Sequence, residues 1–342
     1  MSFHVGILGG GNISQTHARA ALEIEGVTVA AVCGKNFEKV RQLADVAGAS
    51  AYQDLEAFLN HHPMDAVLIG TPSGLHAEQG IAAAQHGLHV LVEKPIDITT
   101  ERADALIEAS HKARVKLGVF FQDRTAPDIV KLKELIDAGK LGNPILISAS
   151  VRWYRPHEYY KNSRWRGTRA LDGGGALMNQ GIHTVDLLLW LFGDVSQVCA
   201  RAITGLHDIE VEDTVVASFE FANGAIGNIE AATSAYPGFS RRLEMSFSEG
   251  TIVIENDRIR SVDLRAPMSG LSAAPPSGAD ERAASPVISD TRGHRAIIED
   301  FIRAITTDGV PLCDGQEARR SVMLVERIYE SADAGRRLGT WR

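Results

Sequence analysis

The heptapeptide HVLVEKP, residues His89–Pro95, predicts a strand buried on both faces of a parallel sheet, because it begins with a short apolar, β-branched run. Pro95 ends this strand, since proline has no N–H to donate to a neighbouring strand. Glu93 and Lys94 therefore stand at its carboxyl end, where open α/β sheets bind their ligands. A partly desolvated lysine there is a candidate proton donor or acceptor, and an exposed lysine in an ordinary surface turn is the alternative.

Strands and helices alternate on both sides of this heptapeptide, through residues 1–123. Helical patterns end near Glu25 and Gln85, and a third covers Thr100–Arg114. The alternation is typical of a doubly wound parallel sheet with right-handed crossovers, so residues 1–123 are predicted to form a Rossmann domain. Its other predicted strands are His4–Gly9, Val27–Cys33, Asp65–Gly70 and Lys116–Gln122.

The turn after the first strand, Gly9–Ser14, is a G-x-G-x-x-G fingerprint with serine in the third glycine position. Glycines there permit a tight turn and a close approach of a pyrophosphate to the backbone, and the helix N-terminus faces the negative charge. In its strand–turn–helix context, the motif predicts that Gly9, Gly11, Asn12 and Ile13 bind a dinucleotide.

The end of the second strand lacks the acid that binds the ribose in an NAD site. The strand is followed by Gly34, Lys35 and Asn36, and the first carboxylate is that of Glu38 in the next helix. A missing carboxylate removes the repulsion that excludes a 2′-phosphate, and Lys35 could pair with one. The sequence therefore favours NADP over NAD, or tolerance of both, and a solvated Lys35 at a helix start is the alternative.

Thr71, Pro72 and His76 follow the strand Asp65–Gly70. Thr71 and His76 are predicted to lie at its carboxyl end or on the following helix, because the carboxyl ends of parallel strands share one edge of the sheet. They would then face the same crevice as Lys94.

From residue 124 to residue 342 the pattern predicts an α+β domain with a large, open, mostly antiparallel sheet. Short hairpin signals such as Asn223-Gly224 and Glu249-Gly250 join several of its strands. Residues Ala266–Asp290, rich in Pro, Ser, Ala and Gly, are predicted to form a loop, and the last helices can pack back on the Rossmann domain. The predicted helices are Pro127–Ala138, Gly293–Thr306 and Gln316–Gly335, and the predicted strands are Ile145–Trp153, Gln197–Ile203, Thr214–Phe221, Ile226–Ser234, Leu243–Ser248 and Thr251–Glu255.

The segment Asp172–Asp186 is the most informative part of the second domain. Three glycines precede a strongly apolar helical run, which suggests a backbone pressed against a ligand or a neighbouring segment. Asn179 and His183 are four residues apart, so they project from one face of that helix, and Asp186 could orient the imidazole. The arrangement is a candidate acid/base site, and a hydrogen-bonded core histidine is the alternative.

The composition argues against several classes of protein. A chain of 342 residues suggests about two domains, and its net charge of −8 without a Lys/Arg run argues against nucleic-acid binding. No apolar run approaches the roughly 20 residues of a membrane span, and the N-terminus has no signal-peptide pattern. The three distant cysteines contain no CxxC, which excludes a disulfide framework or a cysteine-based zinc site and fits a cytoplasmic protein.

The motifs resemble, in order along the chain, those of the Gfo/Idh/MocA oxidoreductases, the family of glucose–fructose oxidoreductase and inositol dehydrogenase. The resemblance covers most of the chain, including Gly118–Arg124, and is most specific at Glu93-Lys94-Pro95 and Gly173–Asp186. It implies a Rossmann domain and an α+β domain whose open sheet commonly makes subunit contacts, hence a homodimer or homotetramer. It also implies oxidation or reduction of a secondary hydroxyl on a sugar, cyclitol or sugar derivative, using NAD or NADP.

Carried over residue by residue, the resemblance gives the proton chemistry to Lys94 and His183. Lys94 would hydrogen-bond the reacting hydroxyl and the cofactor, and His183 would act as general acid/base at that oxygen. Glu93 and Pro95 would shape the cofactor side, with a cis bond before Pro95. Asn179 stands where inositol-dehydrogenase-like members carry aspartate, and an amide cannot accept a proton; some sugar-nucleotide dehydrogenases of the family resemble this asparagine version.

A further set of polar and aromatic residues is implied to contact the substrate or the cofactor, with aromatic packing as the alternative for the aromatic pairs. Gln122 and Arg124 would line the nicotinamide or substrate side, Trp153 and Tyr154 would contact the substrate, and Trp165 and Arg166 would contact the cofactor.

The predicted reaction is hydride transfer between the nicotinamide and a carbinol carbon, with a proton relay through His183 and Lys94. No metal is expected, because the sequence shows no Cys/His ligand cluster. Two other functions stay open. One is a non-catalytic NAD(P)-binding regulator, which would have no need of Lys94 and His183; the other is redox-neutral sugar chemistry with tightly held NAD, such as glycoside cleavage by oxidation and elimination.

Overall fold

The strands of the N-terminal third form one parallel sheet. The computed structural model describes residues 2–267, 271–273 and 290–335. The strands of this sheet are β1 (Phe3–Leu8), β2 (Val27–Cys33), β3 (Ser50–Tyr52), β4 (Ala66–Ile69), β5 (His89–Val92) and β6 (Leu117–Val119). Their order, β3-β2-β1-β4-β5-β6, is that of a Rossmann domain, so the predicted fold of this part is confirmed.

The chain divides into two compact units, and this sheet belongs to the first. The first unit comprises the described residues up to Thr125, Ala170–Gly173 and those from 290 to Val322. The last helices were predicted to be able to pack back on the Rossmann domain, and the described residues from 290 to Val322 belong to the first unit. The domain boundary at residue 123 stays a prediction. The helices are α1 (Asn12–Leu22), α2 (Phe37–Ala47), α3 (Leu55–Leu59), α4 (His76–Gln85), α5 (Thr100–Ala113), α6 (Pro127–Asp137), α7 (His157–Lys161), α8 (Ile182–Phe192), α9 (Arg292–Thr306) and α10 (Gly315–Ala334).

The core of the first unit combines the sheet with a helix from far along the chain. Every residue of β4 is buried, and so are the last three of β5, as expected for strands covered on both faces. Ile297, Ile298 and Phe301 of α9 belong to the same apolar cluster as Leu91 of β5 and Phe120. This core holds the carboxyl ends of the strands in place.

The second unit is built on a seven-stranded sheet with one parallel pair. Its strands are β7 (Pro144–Arg152), β8 (Val195–Ile203), β9 (Thr214–Phe221), β10 (Ile226–Ala232), β11 (Arg242–Phe247), β12 (Gly250–Glu255) and β13 (Arg258–Leu264). The order is β13-β12-β11-β7-β10-β9-β8, and only the pairing of β7 with β10 is parallel. The predicted mostly antiparallel sheet is therefore confirmed.

One face of the second sheet is buried and the other is open. Buried and exposed residues alternate along residues 215–221 of β9, and α8 packs against β7. Leu146, Val216 and Ile226 are at least half exposed, although they are large and apolar. The pairing of this sheet with another copy of the chain stays a prediction.

Several predicted boundaries differ from the structure. The strands β3 and β13 were missed, since the first has three residues and the second does not alternate between buried and exposed positions. The strand predicted to Gln122 ends at Val119 and is followed by a 3₁₀ turn, Gln122–Thr125. Most of the loop predicted at Ala266–Asp290 lies outside the described residues. Within the described chain, no helix has the length and apolar character that crossing a bilayer requires.

Candidate active site

The glycine turn between β1 and α1 has the backbone shape of a dinucleotide-binding loop. Gly9 has a φ of +128°, and a Cβ there would lie 2.3 Å from Ser14 Oγ and 2.6 Å from the carbonyl oxygen of Gly70. Gly11 precedes α1, and a Cβ at this position would meet no heavy atom within 4 Å. Because glycine cannot cap a helix with a side chain, the first amides of α1 are left for an anion such as a pyrophosphate.

Ser14 fits well in the place of the third glycine of the fingerprint. Its side chain is fully buried, and its hydroxyl donates to the carbonyl oxygen of Gly70 at 3.4 Å. The hydroxyl therefore ties α1 to the end of β4. Asn12 and Ile13, which were predicted to bind the cofactor, are the first residues of α1.

The end of β2 offers a lysine and no acid beside the glycine turn. A Cβ on Gly34 would lie 3.5 Å from the carbonyl carbon of Gly9, so this residue is part of the same loop cluster. Lys35 is exposed, and Asn36 caps α2 by accepting the backbone N–H of Lys39 at 3.2 Å. The asparagine thus has a structural partner, while the ammonium group of Lys35 lies at the surface.

The loops that follow β4 and β5 are tied together by a buried histidine. His76 Nδ1 lies 2.8 Å from the carbonyl oxygen of Pro95, and its Nε2 lies 3.0 Å from that of Thr71. The peptide bond between Lys94 and Pro95 is cis, as the resemblance implied, and Lys94 is half-buried. The imidazole of His76 therefore contacts the backbone of two loops. One loop carries Lys94, and the other contains Thr71 and Pro72.

A buried carboxylate strengthens the same connection. Asp97 accepts the backbone N–H of Ala77, in the first turn of α4, at 2.7 Å and the guanidinium of Arg102 at 2.6 Å. Arg102 in turn donates to the carbonyl oxygen of Gly74 at 2.7 Å. These bonds fix the backbone on both sides of Lys94 without using its side chain.

Glu93 is a buried carboxylate held by two buried histidines. Its Oε1 lies 2.9 Å from His17 Nε2 and 3.6 Å from His294 Nε2, and its Oε2 accepts the backbone N–H of Lys94 at 3.2 Å. Burial alone would raise the pKa of Glu93, but the contacts with His17 and His294 outweigh it and hold that pKa well below its usual range. Glu93 is thus an ionised group that links α1 and α9 to the backbone of Lys94.

This cluster corrects one statement of the sequence analysis. His17, Glu93 and His294 are residues of the metal-ligating type, and their ligand atoms lie within 4.8 Å of one another. The statement that the chain lacks such a cluster is therefore wrong, because residues far apart in the sequence come together in the fold. The 2.9 Å contact between His17 and Glu93 is itself a hydrogen bond.

We expect the variant His17→Gln to lose less thermal stability than the parent protein between pH 7.5 and pH 5.5. Burial lowers the pKa of His17 below its ordinary value of 6.5, against the opposing pull of Glu93. In this range the unfolded chain takes up a proton that the folded chain resists. The free energy of unfolding then falls with pH by up to about 1.4 kcal/mol per pH unit for this one group. Melting temperatures at the two pH values measure the difference.

The variant His86→Gln is the matched control. His86 is partly exposed, and the Ala82 carbonyl and Glu56 raise its pKa, so this histidine stabilises the fold at low pH and loses that effect as the pH rises. Its removal should steepen the loss on acidification. Parallel curves of melting temperature against pH for the parent and His17→Gln would contradict the assignment of His17 as a buried neutral group.

Gln122 and Arg124 lie in the same 3₁₀ turn, in different surroundings. Gln122 is half-buried, and its Oε1 is buried with no hydrogen-bond partner among the described residues. Arg124 is 1% exposed and donates to the carbonyl oxygen of Leu312 and to Glu317, each at 3.2 Å. An amide oxygen without a partner suits a ligand contact, whereas the contacts of Arg124 are those of a structural residue; its predicted substrate role stays a prediction.

In the second unit, Asn179 and His183 lie on two kinds of helix. Residues Ala176–Gly181 form a π-helical turn that leads into α8, so Asn179 is in the π turn and His183 is in the α-helix. The uniform helix predicted from the sequence is corrected in this respect, since sequence periodicity does not reveal a π turn, a feature that is frequent at functional sites. Both side chains are partly exposed.

A polar chain continues from Asn179. Its Oδ1 accepts from Gln180 Nε2 at 2.8 Å, and Gln180 Oε1 accepts from Arg155 Nη2 at 3.0 Å. Gln180 also donates to the hydroxyl of Tyr159 at 3.0 Å. The amide oxygen of Asn179 is therefore an acceptor in this chain of hydrogen bonds.

Part of the predicted aromatic and arginine set packs around Tyr159, whereas the ring of Tyr154 packs against that of Tyr236. The guanidinium carbon of Arg166 lies 4.3 Å from the ring centre of Tyr159 and 5.2 Å from that of Trp165. Trp153 is 8% exposed and stacks on Arg155, and its buried Nε1 has no hydrogen-bond partner among the described residues, so its predicted substrate contact stays a prediction. Tyr154, Trp165 and Arg166 are partly exposed, which leaves their predicted ligand contacts as predictions.

Sequence reasoning missed the residues that hold the predicted ones. His17 and His294 bind Glu93, and Glu212 and Tyr329 bind the turn before Asn179. The only sequence signal for His17 was its place three residues after Ser14, on the same face of α1. The others carry no local signal, because each partner lies far away along the chain.

Two models of one protein family match the chain. Residues 3–121 match the oxidoreductase family with an NAD-binding Rossmann fold, and residues 129–253 match the GFO/IDH/MocA C-terminal domain. Among solved structures, the WlbA dehydrogenase from Bordetella pertussis, in complex with NADH and UDP-GlcNAcA, is 31% identical with a TM-score of 0.88. That match covers 97% of this chain and 96% of the other.

Curated relatives include dehydrogenases of cyclitols and sugars. Myo-inositol 2-dehydrogenase of Thermotoga maritima is 29% identical over 76% of this chain and 77% of its own length. D-xylose 1-dehydrogenase (NADP(+)) 2 of Haloferax volcanii is 28% identical over 96% of this chain and 97% of its own. With the glycine turn, the Glu93-Lys94-Pro95 loop and the fold of both units, these matches place the chain in the Gfo/Idh/MocA family, as an NAD(P)-dependent oxidoreductase.

Proposed function

We propose that the protein transfers a hydride between a nicotinamide cofactor and a secondary hydroxyl carbon of a sugar, cyclitol or sugar derivative, with Lys94 and His183 handling the proton. The observation that carries this proposal is the placement of Lys94. It follows β5 at the carboxyl edge of the sheet, and hydrogen bonds of Glu93 and His76 fix the backbone of its loop.

The residues of the first unit fit a dinucleotide. The positive φ of Gly9 and the open space at Gly11 leave room for a pyrophosphate, and the uncapped start of α1 provides amides for it. The buried Oε1 of Gln122 can accept from a carboxamide such as that of nicotinamide. When bound, the nicotinamide cofactor accepts or supplies the hydride.

The side chains of the protein supply the charge and the proton path. The Lys94 ammonium polarises the reacting hydroxyl and stabilises an alkoxide as it develops. The His183 imidazole takes up the hydroxyl proton in oxidation and returns it in reduction. Asn179 cannot accept a proton, so its role is to hydrogen-bond a substrate hydroxyl beside His183.

We further propose that the cofactor is NADP or that both cofactors are used. In support, Lys35 is exposed at the end of β2, where an NAD site carries an acid. The relatives do not share one cofactor, since the Haloferax enzyme is named for NADP(+) and the WlbA structure contains NADH.

Lys35→Ala should weaken NADP binding far more than NAD binding. A charge-assisted hydrogen bond to a phosphate contributes about 1.5–3 kcal/mol, so the Kd for NADPH should rise about 10- to 100-fold while that for NADH changes little. Quenching of protein fluorescence by each reduced cofactor measures both constants. Lys140→Ala, an exposed lysine of the second unit, is the matched control. Equal losses for the two cofactors would exclude contact between Lys35 and a 2′-phosphate.

The test of the function is the initial rate of absorbance change at 340 nm across a substrate panel. The panel contains cyclitols, free aldoses, anhydrosugars and sugar acids, and also UDP-linked sugar acids because of the likeness to the WlbA structure. Each substrate is run with NAD and with NADP. Reduction of the cofactor with one substrate class supports the proposal. Tight cofactor binding with no net reduction on any substrate would overturn it in favour of redox-neutral or regulatory use of the cofactor.

A further inference from the structure

The π-helical turn Ala176–Gly181 begins with backbone amides that no carbonyl of its own helix can satisfy. The first amides of any helix lack such a partner and need a side chain, water or ligand instead. This turn carries Asn179 and leads directly to His183 on α8. What binds these amides therefore determines where both side chains lie.

Glu212, the second residue before β9, binds three of the amides. Its Oε2 accepts the N–H of Gly175 at 2.9 Å, and its Oε1 accepts the N–H of Leu177 at 2.9 Å. Its backbone carbonyl oxygen accepts the N–H of Ala176 at 3.0 Å. The residue is 8% exposed, so these bonds are shielded from water.

Tyr329 on α10 binds the fourth amide and the carboxylate together. Its hydroxyl accepts the N–H of Met178 at 3.3 Å and donates to Glu212 Oε1 at 2.9 Å. Burial and the neighbouring carboxylate raise the pKa of Tyr329 well above its usual range, so the hydroxyl remains a donor. Four consecutive amides, from Gly175 to Met178, are thus bound by two residues from distant parts of the chain.

Gly174 and Gly175, just before the turn, allow Glu212 and Tyr329 to approach the backbone closely because glycine has no Cβ. A Cβ at Gly175 would lie 1.7 Å from the carbonyl oxygen of Glu212, and a Cβ at Gly174 would lie 2.3 Å from the hydroxyl of Tyr329. The glycine run was predicted to press against a ligand or a neighbouring segment. At Gly174 and Gly175 the close contacts are with neighbouring segments of the chain.

We propose that Glu212, together with Tyr329, is a positioning residue that sets the place of His183 by holding the π turn in front of α8. The inference rests on the proposed function, in which His183 moves the proton. Burial raises the pKa of Glu212, and the N–H groups of Leu177 and Gly175 and the hydroxyl of Tyr329 oppose that rise. These donors and the helix dipole interact more favourably with a carboxylate than with a neutral side chain of the same shape.

A double-mutant cycle of Glu212→Gln and His183→Ala tests the inference. Glutamine has the same shape, but its NH₂ group meets a backbone N–H where the carboxylate accepted one. We expect Glu212→Gln alone to lower kcat about 10- to 100-fold, as misplacement of a catalytic group does, and to leave the Kd for the cofactor unchanged. In the His183→Ala background the same change should lower kcat less than about twofold, because the residue acts through the imidazole.

Asp213→Asn is the matched control for the loss of a buried carboxylate. Asp213 is fully buried beside Glu212, and it accepts the backbone N–H groups of Gly205, Leu206 and His207 instead of those of the π turn. Its replacement should lower the melting temperature and leave kcat near that of the parent.

Each outcome of the cycle has one reading. If His183→Ala is slow and Glu212→Gln costs the same factor in both backgrounds, the inference fails and the proposed function stands. If the kcat of His183→Ala equals that of the parent, the proposed proton-transfer role of His183 is wrong, and the inference about Glu212 is wrong as well because it rests on that role. If Glu212→Gln does not fold, Tyr329→Phe goes through the same cycle with the same expectations, because it removes two of the bonds and keeps the carboxylate.

Discussion

Lys94→Ala is expected to lower kcat by about 10²- to 10⁴-fold, the range that a positioned acid/base group contributes. The substitution removes the ammonium group that we propose stabilises the developing alkoxide. It leaves the glycine turn, the His76 contacts and the Glu93 cluster in place, because these bonds use the backbone around Lys94 and not its side chain. Cofactor binding should therefore stay within about threefold of the parent value.

Two measurements separate these effects. Initial rates at 340 nm on the best substrate give kcat, and fluorescence titration with the reduced cofactor gives its Kd. Lys112→Ala, which removes an exposed lysine paired with Glu108 on α5, is the control and should change neither. A Lys94→Ala enzyme with kcat near that of the parent would remove Lys94 from the chemistry.

His183→Ala is expected to lower kcat about 10²- to 10³-fold and to change the dependence of the rate on pH. A histidine is the side chain whose charge changes between about pH 5 and pH 8. If the imidazole accepts the hydroxyl proton, the oxidation rate of the parent should rise through this range, and that rise should be absent from the variant.

The pH profile of kcat/KM on the oxidised cofactor measures this, with His111→Ala as the control. His111 is exposed in the last turn of α5. Profiles of equal shape for the parent and His183→Ala would show that another group accepts the proton. If the rate of His183→Ala is also low in that case, His183 contributes to substrate binding and not to proton transfer.

The place of Lys94 could be predicted because it depends on local sequence and on one topological rule. The run His89–Val92 has the bounds of β5, and the carboxyl ends of parallel strands meet at one edge. The glycine turn was equally accessible, since its chemistry is contained in six consecutive residues. Such features need no knowledge of long-range partners.

The residues that hold the site could not be predicted in this way. His17 looks like any buried residue of an amphipathic helix until Glu93 and His294 are brought to it by the fold. Glu212 binds a turn 35 residues earlier in the chain, and Tyr329 reaches it from α10. Periodicity alone predicted an ordinary helix at Asn179, because a hydrophobic pattern does not distinguish a π turn from an α-helix.

The contribution of α9 to the first core has a consequence for biosynthesis. Phe301 packs so closely on β6 that a Cβ at Gly118 would lie 2.9 Å from its ring. A ribosome makes the first six strands early, but it supplies this ring only after all seven strands of the second sheet have left the exit tunnel. Until then Leu91 and Phe120 lack part of the apolar cover that they have in the folded chain. We therefore expect the unit that is translated first to complete its core only after most of the chain has been made.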